Sequence, residues 1–266
     1  MRAATALMLA SWRTAKSYRL ELVFSLGGLL LSVVPTYFVA DALQPTMAEA
    51  IEAEGDQYFG FLIVGMVAFS LLSTAANRLP DALSSAVRTG TLEAVFGTPA
   101  SIPAVLAGLS GYGFVWSATR GALLFLAGWG LGAEYVWSQL PAAVVILALI
   151  VAAHLPFGIL AAAAYVVFRT TGPIPRAVVA LSGLLGGVYY PTHVIPSWIE
   201  HLSAAFPLTY GLRALRRTLL EGQPLPSVTG DVLILTLFAA VLLAGSLAVF
   251  AAALRYGRRA GSLAQY

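Results

Sequence analysis

Residues Tyr135 to Phe168 read YVWSQLPAAVVILALIVAAHLPFGILAAAAYVVF, without one Asp, Glu, Lys or Arg. A helix needs about 20 apolar residues to cross the hydrocarbon core of a bilayer, so this stretch is long enough to span. Working outward, five further places meet the same test: Leu22–Ala40, Gln57–Asn77, Ala94–Ala133 broken only by Arg120, Ala177–Ile199 and Val232–Leu254. Composition agrees, since 59% of the 266 residues are hydrophobic and 10% charged, where soluble domains carry about 25% charged residues. The mean hydropathy is +0.84. The expectation is an all-α integral membrane protein with six transmembrane helices, forming a single domain over residues 1–266.

The chain has no cysteine, which excludes a disulfide framework, iron–sulfur clusters and thiolate metal sites. A formal net charge of +3 does not point to nucleic acid, because the basic residues fall in ones to threes between apolar runs. Their placement instead sets orientation. Arg2, Arg13, Lys16 and Arg19, then Arg78 and Arg88, then Arg169 and Arg176, then Arg255, Arg258 and Arg259 share one side of an alternating six-span frame. The first opposite connection holds Asp41, Glu49, Glu52, Glu54 and Asp56, and the second holds Glu134. Both termini are therefore expected in the cytoplasm. A cleaved leader is not expected, since Arg13, Lys16, Arg19 and Glu21 interrupt the start before any apolar core. The exception is the third outer connection, which carries Arg213, Arg216 and Arg217.

Three segments depart from plain spans and turns. Residues 1–20 place Arg2, Arg13 and Lys16 on one helical stripe, which suits a helix lying in the inner interface against anionic headgroups, or a frayed start to the first span. Residues 80–97 begin with Pro80-Asp81 as a helix-start signal, and Gly97 and Pro99 then act as a stop. The apolar Leu92, Val95 and Phe96 in this cytoplasmic segment need either a protein partner or the bilayer surface. Finally, Tyr189 to Gly230 is too long for a simple turn and is punctuated by Pro191, Pro196, Pro207, Pro224 and Pro226. Ile195, Trp198, Ile199, Leu202 and Phe206 form one helical face, and Leu208, Leu212, Leu215 and Leu219 another. Neither half is long enough to span, so residues 191–222 read as a hairpin dipping into the outer leaflet or as a pair of interfacial helices.

Two motifs then resemble a known family. Arg88-Thr89-Gly90-Thr91-Leu92-Glu93 followed by Gly97-Thr98-Pro99 is similar to the first cytoplasmic loop of bacterial ABC-2-type transporter permeases. Tyr190-Pro191, Ile195-Pro196-Ser197-Trp198 and Phe206-Pro207-Leu208-Thr209-Tyr210-Gly211-Leu212-Arg213, closed by Glu221-Gly222, resemble the signature before their last span. The resemblance implies a homodimer of six-helix subunits carried on two ABC ATPase subunits, in the bacterial inner membrane. It implies ATPase coupling through Arg88, Gly90, Thr91, Leu92, Glu93, Phe96 and Pro99, with 80–97 as the coupling helix. It implies an outer re-entrant gate at Tyr190, Pro191, Pro196, Trp198, Pro207, Tyr210 and Arg213. ATP and Mg would be bound by the partner ATPase, with no cofactor in this chain.

The residues support that division of labour independently. A P-loop requires G-x-x-x-x-G-K-[ST], and the sole lysine, Lys16, sits in Ala15-Lys16-Ser17. No catalytic residues are named: His154 with some serine is too little for an intramembrane hydrolase. An ion-coupled carrier would place carboxylates near the midplane, whereas the deep charged or titratable groups are Arg120 and His154. These two and Tyr189 are the candidates for lining a pathway. Arg120 is expected to face a wet pathway or the protein interior, with hydroxyls, carbonyls or His154 as partners, because a lipid-facing guanidinium at mid-depth costs about 2.5–3.5 kcal/mol. Tyr189, Tyr190, Trp198 and Tyr210 suit either an aromatic rim or ordinary interface anchors. The expected function is outward movement of an amphipathic or lipophilic substrate, drug or lipid-like. The alternatives are a lipid-linked glycan exporter, an ion-coupled carrier, and a membrane scaffold without an ATPase.

Overall fold

The computed structural model describes residues 19–89 and 102–259. Among these there are eight α-helices and no strand: α1 (Arg19–Ile51), α2 (Tyr58–Arg88), α3 (Ile102–Gly130), α4 (Leu140–Phe168), α5 (Ile174–Leu185), α6 (Ser197–Ser203), α7 (Pro207–Leu219) and α8 (Thr229–Arg259). Proline opens several of them at positions where the missing N–H costs nothing: Pro141 in α4, Pro175 in α5 and Pro207 in α7. Arg169, in the left-handed region at φ 57°, ends α4 and donates its N–H to Tyr165 O.

Among the described residues, four helices are long and apolar enough to cross a membrane: Gly27–Ile51, Tyr58–Ala86, Trp137–Phe168 and Leu225–Tyr256. One end of the bundle carries the acidic 52–57 loop with the α6–α7 hairpin, and the other carries the basic ends of α2 and α4. Helices α2, α4 and α8 run from the acidic end to the basic end, and their C-terminal halves pack together, while α1 runs the opposite way. Helix α3 is 29 residues long and, among the described residues, falls outside that set.

The expected span over Ala177–Ile199 is corrected. Helix α5 stops at Leu185 after 12 residues, about 18 Å at 1.5 Å per residue. The cause is local: Gly187 takes φ +80°, a conformation glycine adopts without strain, and Pro191 follows. A second correction concerns Pro80, expected to start a helix. It lies inside α2, which runs unbroken to Arg88, because membrane helices tolerate proline where neighbouring helices cover the freed carbonyl. The coupling segment beyond residue 89, with Gly90, Thr91, Leu92, Glu93, Phe96 and Pro99, lies outside the described residues. So does the expected interfacial helix up to residue 18.

Helix α2 is central, with 72% of its most apolar window buried against 17% for α1 and 17% for α8. Its neighbours are α4, α3, α1 and the short α5 and α7, while α4 and α8 pack along each other. One large core joins Phe61, Ile63, Val64 and Leu72 to Ile146, Ile150, Leu208 and Leu212. A smaller core at the basic end joins Leu79 and Leu83 to Ile159, Ala162, Phe250 and Leu254.

Candidate functional site

Helices α2 and α3 run antiparallel in a fixed register. Thr74 Oγ1 donates to Ser117 Oγ at 2.9 Å. Nearer the basic end the Arg78 stem lies against Gly113, and nearer the acidic end a Cβ on Gly128 would meet Ile63. On one side of this seam an apolar recess of about 650 Å³ is walled by Val67, Leu71, Gly121, Phe125 and Leu147. On the other, between α1, α2 and α3, lies a mixed polar groove of about 750 Å³.

The α2 wall of the groove is Met66, Ser70, Ser73, Thr74, Asn77, Arg78 and Asp81, the i, i+3, i+4 spacing of a single helical stripe. From Met66 to Asp81 this stripe extends about 22 Å at 1.5 Å per residue. Helix α3 contributes Gly113, Trp116, Ser117, Arg120 and Leu124, α1 contributes Phe24, Gly28, Leu29 and Ser32, and Tyr189 closes the acidic end. Several polar hydrogens are committed to carbonyls one helical turn back: Ser32 to Leu29 O at 2.6 Å, Ser70 to Val67 O at 2.9 Å and Asn77 to Ser73 O at 2.9 Å. The guanidinium of Arg78 lies 5.7 Å from the Tyr112 ring centroid, and its buried Nε has no hydrogen-bond partner. Arg120 is exposed to the groove. Among the described residues no carboxylate forms an ion pair with either cation.

At the acidic end, α7 turns its apolar face inward, with Leu208, Leu212, Leu215 and Leu219 all buried. The same burial carries Arg216 into the protein, where it is 1% exposed. Its Nη1 donates to Glu54 Oε2 at 3.0 Å, its Nη2 donates to Val188 O at 3.0 Å and Phe61 O at 3.3 Å, and its guanidinium stacks 3.3 Å from the Phe61 ring centroid. Burial pulls the Arg216 pKa down and the Glu54 carboxylate opposes that shift. Arg213 Nε donates to both Asp231 oxygens at 3.0 Å, joining α7 to the start of α8. That hydrogen bond is the main reason its pKa is raised. The arginines that break the charge pattern of the third connection are thus largely neutralised in place.

The other expected gate residues flank this cluster. Tyr190 Oη donates to Leu184 O, and Tyr210 Oη donates to Ala204 O at 3.0 Å. Pro191 and Pro207 are buried, while Pro196 and Trp198 are exposed on the outer face of α6. Tyr189, Tyr190, Trp198 and Tyr210 make no ring contact with one another among the described residues. Arg88 is exposed in the last turn of α2.

Of the three pathway candidates, Arg120 and Tyr189 line the groove and His154 does not. His154 is completely buried on α4, its Nδ1 2.8 Å from Ile150 O, so it belongs to the packing and is no partner of Arg120. Sequence reasoning missed Arg78 and the α2 stripe, although the polar spacing inside an apolar run was a readable signal. It also missed Glu54 and Arg216, whose only signal was an acidic first connection facing a basic third one.

Stacked apolar helices around a polar groove define a multi-pass membrane protein. The ABC-2 type transporter family matches residues 5–220, and the chain belongs to it. It is accordingly a transport permease of an ABC system rather than a catalyst, and permeases of this family generally work with an ABC ATPase. No curated protein matches the chain.

Proposed function

We propose that the chain is the transmembrane subunit, built on a six-helix frame, of an ATP-driven exporter that moves an amphipathic, drug-like or lipid-like substrate outward. The carrying observation is the groove itself: a polar α2 stripe about 22 Å long by helical rise, with Arg78 on it and Arg120 facing it from α3, neither in an ion pair among the described residues, bordered by Phe24, Met66, Phe69 and Trp116. A polar headgroup finds charge there while an apolar body stays against lipid-like walls. In this reading α3 and the short α5 complete the six-helix frame. The basic end faces the cytoplasm of a bacterial inner membrane with both termini on that side, as the bias of Arg and Lys supports. The α6–α7 hairpin is the outer re-entrant element. Two copies stand on two ATPase subunits, which bind the ATP and Mg.

Co-expression with the cognate ATPase is expected to give a complex with two copies of each subunit, in which ATP turnover requires the ATPase. Steady ATP hydrolysis by this chain purified alone would contradict the reading. The coupling contact is tested separately. Leu92→Asp puts a charge into an apolar contact and Glu93→Ala removes one from it, changes that cost about 2–5 kcal/mol when the group is buried at an interface. Both variants should insert normally while transport and substrate-stimulated ATP hydrolysis fall together. Wild-type transport by both would mean that the segment rests on the bilayer surface instead.

A further inference from the structure

The geometry points to a binding site for the anionic headgroup of an amphiphile in the groove between Arg78 and Arg120, an assignment of cargo class that rests on the permease reading. Arg78 lies against Gly113, seven positions before Arg120 on α3, which sets the two residues about 10 Å apart along the helix. Ser73 and Thr74 lie between them on the facing wall, and the Thr74–Ser117 hydrogen bond fixes the two walls together.

Three observations favour an anion here. Arg78 Nε is buried and has no hydrogen-bond partner, and a buried unsatisfied donor is costly unless a ligand or water completes it. Neither arginine is paired with a carboxylate among the described residues, unlike Arg213 and Arg216, which are. The one carboxylate in the lining, Asp81, is exposed at the basic mouth, so the groove keeps a net positive charge deeper in. The hydroxyl of Ser70 already donates to Val67 O and that of Thr74 to Ser117 Oγ, which leaves the guanidinium groups as the charged donors of the groove. Forked guanidinium donors match the oxygens of phosphate or carboxylate.

The rest of the lining argues for an amphiphile over a free ion. Phe24, Leu29, Met66, Phe69 and Trp116 border the same groove, and α1, which forms its outer wall, is mostly exposed. A ligand seated on the arginines can therefore lay an apolar tail along α1 without leaving the groove.

The test uses the full chain in a neutral detergent, with dihexanoyl phosphatidylglycerol, dihexanoyl phosphatidylcholine and inorganic phosphate as separate probes. Phosphatidylglycerol should bind about tenfold more tightly than phosphatidylcholine, because both offer the same phosphate oxygens but the choline cation is repelled by the two guanidinium groups, and Arg120→Gln should remove most of that preference. Arg78→Gln should act likewise, with Arg78→Lys retaining most of the binding. Arg120 is exposed, so its variant folds even if the Arg78 variants do not. Equal binding of the two lipids, or an unchanged preference in Arg120→Gln, overturns the site. Inorganic phosphate binding as tightly as phosphatidylglycerol overturns the amphiphile. In the assembled complex phosphatidylglycerol should also raise ATP turnover, and binding without stimulation overturns the cargo assignment. Failure to assemble with an ATPase is a separate result that removes the permease reading alone.

Discussion

Arg216→Ala is expected to cost about 3–5 kcal/mol of stability, the usual consequence of removing one partner from a buried ion pair. The cost arises on both sides of the contact. The Glu54 carboxylate, itself 7% exposed, loses its cation, and the carbonyls of Val188 and Phe61 lose their donors. These groups come from the 52–57 loop, α2 and the turn after α5, so one guanidinium ties three segments to α7. Lysine cannot replace it, because an ammonium lacks the planar fork that reaches a carboxylate and two carbonyls and stacks on Phe61. The melting midpoint of the purified protein should therefore fall in the order wild type, Arg216→Lys, Arg216→Ala. Glu54→Gln should fall less than Arg216→Ala, since an amide oxygen still accepts from Nη1. Arg213→Ala is expected to be milder, because that pair with Asp231 is partly exposed and solvent screens it. If Arg216→Ala melts with the wild type, the arginine is solvated and the hairpin is not anchored through it.

This anchor shows which parts of the molecule could be read from residue order. The Tyr135–Phe168 run became α4 with little change, because uninterrupted apolar length is a local property. The leucine face of α7 was also local, and 3.6-residue spacing exposed it directly. Glu54 and Arg216 are 162 positions apart, and no spacing rule links such residues. Their pairing follows only once α7 folds down on α2. The same limit explains the fifth expected span: composition continues apolar past Leu185, but the Gly186-Gly187 pair and Pro191 turn the backbone, and the apolar residues beyond go to a different element. The groove lies between these cases. Its α2 stripe is periodic and therefore legible, whereas the match of that stripe to Ser117 and Arg120 depends on the register of two helices. Residue spacing left the segment around Leu92 with either a protein partner or the bilayer surface, its coupling role came from the resemblance to the family's first cytoplasmic loop, and that assignment rests on Leu92 and Glu93 behaving as proposed.

Gly158→Leu should be strongly damaging at the contact between α2 and α4, at about 1–3 kcal/mol and toward the upper end of that overpacking range. Pro80 supplies no N–H, so the carbonyl of Ala76, four residues earlier, loses its helical donor. Helix α4 covers that place with Gly158: a Cβ there would lie 2.5 Å from Ala75 O and 3.1 Å from Ala76 O. Both atoms are backbone in the most buried helix of the bundle, so neither can rotate away as a side-chain end could. The sign of Gly158→Ala then separates two opposed effects. Alanine is favoured over glycine inside a helix by about 1 kcal/mol, and that gain would raise the melting midpoint if α4 and α2 stood at ordinary separation. Contact with the Ala75 and Ala76 carbonyls instead forces the helices apart along the seam where Leu79, Leu83, Ile159 and Ala162 form the smaller core. Gly158→Ala should accordingly melt below wild type and Gly158→Leu lower still, with a loss of monodisperse protein on size exclusion. A Gly158→Ala protein more stable than wild type would show that helix propensity outweighs the contact, and that proline in α2 is covered by something other than the bare backbone of α4.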